Sequence, residues 1–161
     1  MKYRSIPIER LRRVVSADAE GTLWCEISGL PLRIYRGFQH DTVKIEGVIF
    51  QTHRVAFALY HGVWPDGVVD HINGDARDNR RENLRVCTPA QNAMNRRYPK
   101  QPGDLPQGVG GSKGHYWAKL QHKGVSHREG PFETAEEAHA AYKNLSNRLR
   151  GEFSPYWTSA A

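Results

Sequence analysis

The sequence predicts an α+β chain in two modules: a β-rich N-terminal segment leading into a strand, loop, strand and helix, then a small three-stranded antiparallel sheet packed on one helix. Three observations carry this prediction. Short β-type runs broken by glycine and proline fill residues 22–51. Two capping boxes, Thr88 with Gln91 and Thr134 with Glu137, each open a helix directly after a strand pattern. Between them lies YPKQPGDLPQG, whose three prolines and two glycines read as a linker. The boundaries that follow are 1–98 for the first module with its core at 52–98, 99–107 for the linker, and 108–157 for the second module.

Taken in order, residues 1–13 set Lys2, Arg4, Arg10, Arg12 and Arg13 against Glu9, which predicts a solvated basic arm or a phosphate-contacting one. The runs TLWCEI, LRIY and TVKIEGVIF predict two to four short strands. Thr52 is expected to cap a short helix from His53 to His61, with Val55, Ala56 and Leu59 on one face and Gly62 as its stop. Beyond the linker, GHYWAKLQ and GVSHRE predict two strands joined at a tight HKG turn, with Gly108 to Ser112 adding a third. The last helix runs from about Ala135 to Arg150, and Ala138, Ala141, Tyr142, Leu145 and Leu149 recur on it at core spacing.

Lysine and arginine number 23 against 17 aspartates and glutamates over 161 residues, with a pI near 9.5, and this balance favours a polyanionic partner such as nucleic acid. No apolar run approaches the roughly 20 residues needed to cross a bilayer. The basic N-terminus lacks the apolar stretch of a secretory signal, so the chain is expected to be intracellular and cytoplasmic, or in the host cytoplasm if phage-encoded. Cys25 and Cys87 form no CxxC pair and are too few for a disulfide framework; both read as buried packing residues.

The informative stretch is VVDHINGDARDNRRENLRVCTPAQNAMNRR, residues 68–97. Val68 and Val69 lead a strand to Asp70-His71, Asn73-Gly74 turns the chain, Leu84 to Cys87 is a second strand, and Pro89 sits at the first position of the following helix. Alternation points Asp70 and His71 to opposite sides, unless the strand ends there and the loop turns His71 back. A helix packed across the strands brings Asn92 near Asp70, giving two oxygen ligands suited to a hard divalent ion. Phosphodiester hydrolysis needs an activated water and neutralisation of developing charge. His71 is the candidate general base, because imidazole exchanges protons near neutral pH, and Asn83 is the candidate for holding its loop. The same Asp and Asn residues also read as turn formers. A calcium loop fails, because its spacing requires acceptors at Val69 and His71 and an acid at Arg80.

These residues resemble the HNH endonucleases of the free-standing homing and phage type. The resemblance runs through His53-Arg54, Trp64-Pro65, Asp70 to Gly74, Asp78 to Arg80, Glu82 to Arg85 and Gln91 to Asn95 with spacing intact. It implies a ββα-metal fold in which Asp70 and Asn92 bind one divalent ion, His71 activates water, Asn83 positions the histidine loop and Asn95 assists. Asn92 stands where the family's second histidine gives it its name, which favours Mg²⁺, or Mn²⁺, over zinc.

From Gly108 to Trp157 the chain resembles the Apetala-type, ethylene-response-factor DNA-binding domain through Gly108-Val109, YWAKLQ, GPFETAEEA, Ala141-Tyr142 and RGEF. That resemblance implies a three-stranded sheet lying in the major groove. Alternation turns Tyr116, Ala118 and Leu120 toward the helix and leaves Trp117, Lys119 and Gln121 outward, with Arg128 and Lys113 beside them. Two departures stand out: Gly110, Gly111 and Ser112 replace the usual arginines of the first strand, and His127 and Glu129 replace apolar residues of the third.

The reading that unites these expectations is a metal-dependent endonuclease acting on double-stranded DNA, with phosphates neutralised by Arg80, Arg81, Arg85, Arg96 and Arg97. A transcription-factor-like DNA binder without catalysis is the alternative, and an RNA-directed protein a third. The target site, nicking against double-strand cutting, and monomer against homodimer stay open.

Overall fold

Arg10, Arg12 and Arg13 ride on a helix, α1 (Ile8–Val14), whose Leu11 is completely buried. The basic N-terminal run is therefore anchored rather than a solvated arm: its apolar side joins the core while Arg10 pairs with Glu46 at 2.7 Å. The computed structural model describes residues 4–37, 40–96 and 105–157. The chain divides into two compact units, Met1–Asn92 and Ala93–Ala161.

In the first unit, β1 (Val15–Ala17) pairs antiparallel with β2 (Leu23–Cys25), and β3 (Ile34–Tyr35), β4 (Thr42–Ile45) and β5 (Val48–Gln51) form a three-stranded antiparallel sheet with β4 in the middle. The 22–51 region thus supplies four short strands, as its pattern predicts. Helix α2 (Thr52–His61) follows without a loop. Thr52 is its first helical residue and not its cap: that place belongs to Gln51, and the buried Thr52 hydroxyl has no hydrogen-bond partner among the described residues. Gly62 stops the helix in the left-handed conformation. Val55, Ala56 and Ala58 are completely buried among Leu11, Val15, Leu23, Val43 and Phe50, so one core joins the N-terminal strands to the residues behind the candidate site.

The strand, loop, strand and helix order appears as expected. β6 (Val68–His71) pairs with β7 (Leu84–Cys87) through Val68↔Cys87, Asp70↔Arg85 and His71↔Leu84, a 3₁₀ turn over Arg81–Asn83 precedes β7, and α3 (Pro89–Met94) follows it. The Thr88 hydroxyl accepts from Gln91 N at 3.2 Å and the Gln91 side chain accepts from Thr88 N at 2.8 Å, completing the capping box. Cys87 is buried, whereas Cys25 is only partly so, at the edge of the β1–β2 pair.

In the second unit β8 (Val109–Ser112), β9 (His115–His122) and β10 (Val125–Phe132) form an antiparallel sheet with β9 central, packed on α4 (Ala135–Arg150). Lys123 and Gly124 both take positive φ, 49° and 79°, and make the two-residue turn between β9 and β10. Ala118, Leu120, Tyr142 and Leu145 are the core, and Thr134 with Glu137 caps α4. Glu129, out of place in an apolar strand, reaches Arg148 of α4 at 2.7 Å; the register holds from Val125 to Glu129 and shifts before Phe132. No helix among the described residues is long and apolar enough to cross a membrane.

Candidate active site

Strand β6 ends at His71, and its last two residues, Asp70 and His71, are both about 7% exposed. Alternation would separate them, yet both line one cleft of about 160 Å³ together with Asn92 of α3 and His40, His53 and Arg54. The strand's end lets the chain turn and bring His71 back. Gly74 N closes that turn onto the His71 carbonyl at 2.9 Å, and Ile72 N bonds the Asn83 carbonyl at 2.9 Å.

Asn83, 6% exposed, works across the loop. Its Oδ1 accepts from Asn73 N at 3.0 Å and its Nδ2 donates to the Asp78 carbonyl at 2.7 Å. Asn73 adds bonds to Asp75 N and to the Asp78 carboxylate, both at 2.8 Å. Arg80 grips that carboxylate through Nε at 2.8 Å and Nη2 at 2.6 Å, and this hydrogen bonding holds Asp78 down at about 2. The loop after His71 is thus tied at both ends.

The ring of His71 is held separately, by Asn79: its Nε2 lies 3.1 Å from Asn79 Oδ1. With that oxygen as acceptor, Nε2 carries the proton and Nδ1 is the basic nitrogen. Asn79 is itself pinned from behind. Gly21, at φ 85°, comes so close that a Cβ there would lie 2.5 Å from the Asn79 carbonyl carbon, so no side chain fits. On the other side of His71, the His53 ring stands edge-on at 5.3 Å, and His40 lies 5.0 Å beyond it. Burial, with the repulsion of His71, His40 and Arg54, drives the His53 imidazole down to about 3, and burial lowers His40 as well. Two neutral imidazoles therefore back the cleft at neutral pH. Arg54 crosses from α2 to the chain before β6, giving 2.7 Å and 2.6 Å bonds to the carbonyls of Gly67 and Pro65.

Asp70 has a partner directly across the ladder. Arg85 donates to its Oδ2 through Nε at 3.0 Å and Nη2 at 2.7 Å, and the Arg85 and Asp70 side chains are 11% and 7% exposed. Arg85 is thus committed to a carboxylate in a largely buried pair and does not stand on the solvent-facing phosphate footprint the sequence suggests.

The HNH endonuclease family model matches residues 50–94, which run from the end of β5 through α2, β6 and β7 to the end of α3. Residues 50–94 are thus similar to the HNH endonucleases. The chain is 33% identical over 107 residues to an uncharacterized HNH endonuclease, L560, of Acanthamoeba polyphaga mimivirus, covering 65% of this chain and 55% of that protein. It therefore spans about half the length of this curated relative. Among solved structures it is similar to one of DNA binding and cleavage by the HNH homing endonuclease I-HmuI, with 24% identity, 59% of this chain and 57% of the other covered, and a TM-score of 0.46.

Of the residues singled out in the sequence, the matched segment gathers Asp70, His71 and Asn92 at the cleft and places Asn83 in the loop behind it. Arg80 and Arg81 are exposed, Arg80 with its pairing to Asp78 and Arg81 on the 3₁₀ turn. Asn95 is buried at 6% exposure rather than presented to solvent, Arg96 is exposed, and Arg97 lies outside the described residues. In the second unit, Lys113, Lys119, Gln121 and Arg128 are exposed on or beside the sheet. Trp117 is half-buried, because the Arg128 guanidinium sits 3.5 Å over its ring. Two residues escaped the sequence reading. Asn79 gave its only signal by lying between the acid and arginine of Asp78 to Arg80, and His40 carries no motif at all.

Proposed function

We propose that this protein is a divalent-metal-dependent endonuclease that hydrolyses one phosphodiester of duplex DNA per visit, as a homing-type or phage enzyme. The observation that carries it is the convergence of Asp70, His71 and Asn92 on one cleft, on the strand, loop, strand and helix of an HNH module. In this reading His71 Nδ1 takes the proton of the attacking water, while Nε2 keeps its proton, donated to Asn79 Oδ1. Asn83 keeps the loop, and with it the histidine, in place.

The donor set fits a hard cation. No trio of His, Cys, Asp or Glu is gathered for a metal among the described residues, so the Asp70 carboxylate and the Asn92 amide oxygen would hold an ion that keeps its remaining positions for water and phosphate, as Mg²⁺ does and Mn²⁺ tolerates. When bound, such an ion supplies charge neutralisation at the phosphate and leaving oxygen. The exposed Arg80 and Arg81 of the first unit, and Arg96 of the second, would each meet phosphate.

For the second unit the proposal is an Apetala-type DNA-binding domain. Its outward face carries Trp117 under Arg128, with Lys119 and Gln121 along the same strand and Lys113 at the β8–β9 turn. Arginine and glutamine can read base edges there while lysine meets phosphate. The β8 glycines leave this reading to the other two strands.

The test is incubation of supercoiled plasmid with the protein and Mg²⁺, with chelator, and with His71→Ala. Nicking or linearisation to 5′-phosphate and 3′-hydroxyl ends, lost with chelator and at least about 100-fold slower in the variant, is expected. Tight DNA binding without cleavage by the wild type refutes the enzyme and leaves a transcription-factor-like binder.

A further inference from the structure

The cleft's oxygen donors fit a hard cation, but its net charge opposes one that arrives without phosphate. Among the described residues Asp70 is the only carboxylate lining it, and Arg54 lines it too. Arg85, held opposite Asp70 by the β6–β7 register, directs both its Nε and its Nη2 at the same carboxylate oxygen, Oδ2. Two guanidiniums thus outnumber the one carboxylate that would attract a divalent ion. The Asp70 and Arg85 side chains are largely withdrawn from water, 7% and 11% exposed, so the screening that weakens surface ion pairs is mostly missing. An exposed arginine contributing only to DNA affinity would have no reason to point inward at this carboxylate.

We infer that Arg85 is a positioning residue for the metal site, which fixes the Asp70 carboxylate and keeps the free protein's affinity for a divalent cation low. This rests on the nuclease reading above. Two physical effects act together. Two N–H donors occupy acceptor positions on Oδ2 that a cation would otherwise use, and the guanidinium charge repels a second positive charge brought to the same group. An arriving phosphate supplies the negative charge that Arg85 cancels, so the site is electrostatically completed by substrate.

The experiment uses the full chain without DNA and Mn²⁺ as the probe, with the unbound ion counted by its electron paramagnetic resonance signal. Wild type, Arg85→Gln, and Arg85→Gln combined with Asp70→Asn are compared. Arg85→Gln is expected to bind Mn²⁺ at least about tenfold more tightly than wild type, and the added Asp70→Asn to abolish that gain. An unchanged or weaker affinity in Arg85→Gln overturns the role of Arg85 while leaving the nuclease reading intact. A gain that survives Asp70→Asn places the ion elsewhere and overturns the metal assignment of Asp70 with it. Should Arg85→Gln not fold, the wild type is titrated with Mg²⁺ while the Arg85 Nε–H resonance, identified by its loss in Arg85→Lys, is followed. Movement of that resonance as the site fills supports the inference, and a resonance indifferent to saturating Mg²⁺ refutes it.

Discussion

Acid should weaken the first unit through its buried histidines, His53 above all. Its ring is buried against His71, and burial first, then the nearby His71, His40 and Arg54, hold it down to about 3 from the ordinary 6.5. In the unfolded chain the same ring titrates at its ordinary value, so between these limits the unfolded state binds the extra proton and stability falls as pH falls. The contribution is fully present above about pH 6.5 and shrinks continuously toward pH 3. Each pH unit in that window is worth about 1.36 kcal/mol, so moving from pH 6.5 to pH 4.5 should cost about 2–3 kcal/mol from this side chain alone. His40, also lowered by burial, acts in the same direction, so a substitution must isolate the effect. His53→Phe removes the titrating group and keeps a planar ring. The assay is urea unfolding at both pH values, followed through the Trp64 indole N–H, which donates to the Ile6 carbonyl at 2.7 Å and so reports on the first unit. The wild type should lose about 2–3 kcal/mol more than His53→Phe over this interval. Parallel losses in the two proteins would show that His53 is not held neutral by its surroundings.

Further outcomes follow from the same geometry. Asn83→Ala strips the Asn73 N–H and the Asp78 carbonyl of their partners, and urea unfolding should show a loss of about 1–3 kcal/mol along with slower plasmid nicking. Gly21→Ala forces a side chain into the Asn79 backbone at positive φ and should cost more than about 2 kcal/mol, read by thermal melting. Neutralising Arg81 and Arg96 should reduce the slope of log affinity against log salt by about 1 for each phosphate that no longer meets a cation, and an unchanged slope would discard that footprint. Trp117→Ala should weaken duplex binding in gel-shift titrations while Mn²⁺ binding stays at its wild-type value, because the ring and its Arg128 partner lie in the second unit.

Much of the fold was legible because local chemistry decides it. The Thr88/Gln91 and Thr134/Glu137 boxes fix where α3 and α4 begin, and Gly62 fixes where α2 ends. What escaped depends on packing between distant segments. Nothing near Leu11 announces that a basic run would become a buried helix, because the helix it packs on, α2, comes from much later in the chain. Composition paints Arg85 and Arg81 alike, yet the β6–β7 register sends one to Asp70 and leaves the other in solvent. Likewise Thr52 looks like a cap until β5 runs straight into the helix and Gln51 takes the position. At the cleft, residue types identified Asp70, His71 and Asn92 as a group, while the bond from His71 to Asn79 depends on how a loop folds back.

The approach of Gly21 to Asn79 says something about how little of this protein can be trimmed. The recognisable segment begins at residue 50, but the backbone that steadies Asn79 comes from the hairpin before it, and Leu11, Val15, Leu23 and Val43 fill the core beneath the same helix. A fragment cut to the family match would keep every residue assigned to chemistry and lose the wall they lean on. For engineering, the smallest transplantable form of this cleft begins before α1, and a linker inserted between Ala17 and Leu23 would loosen the histidine from nearly fifty residues away.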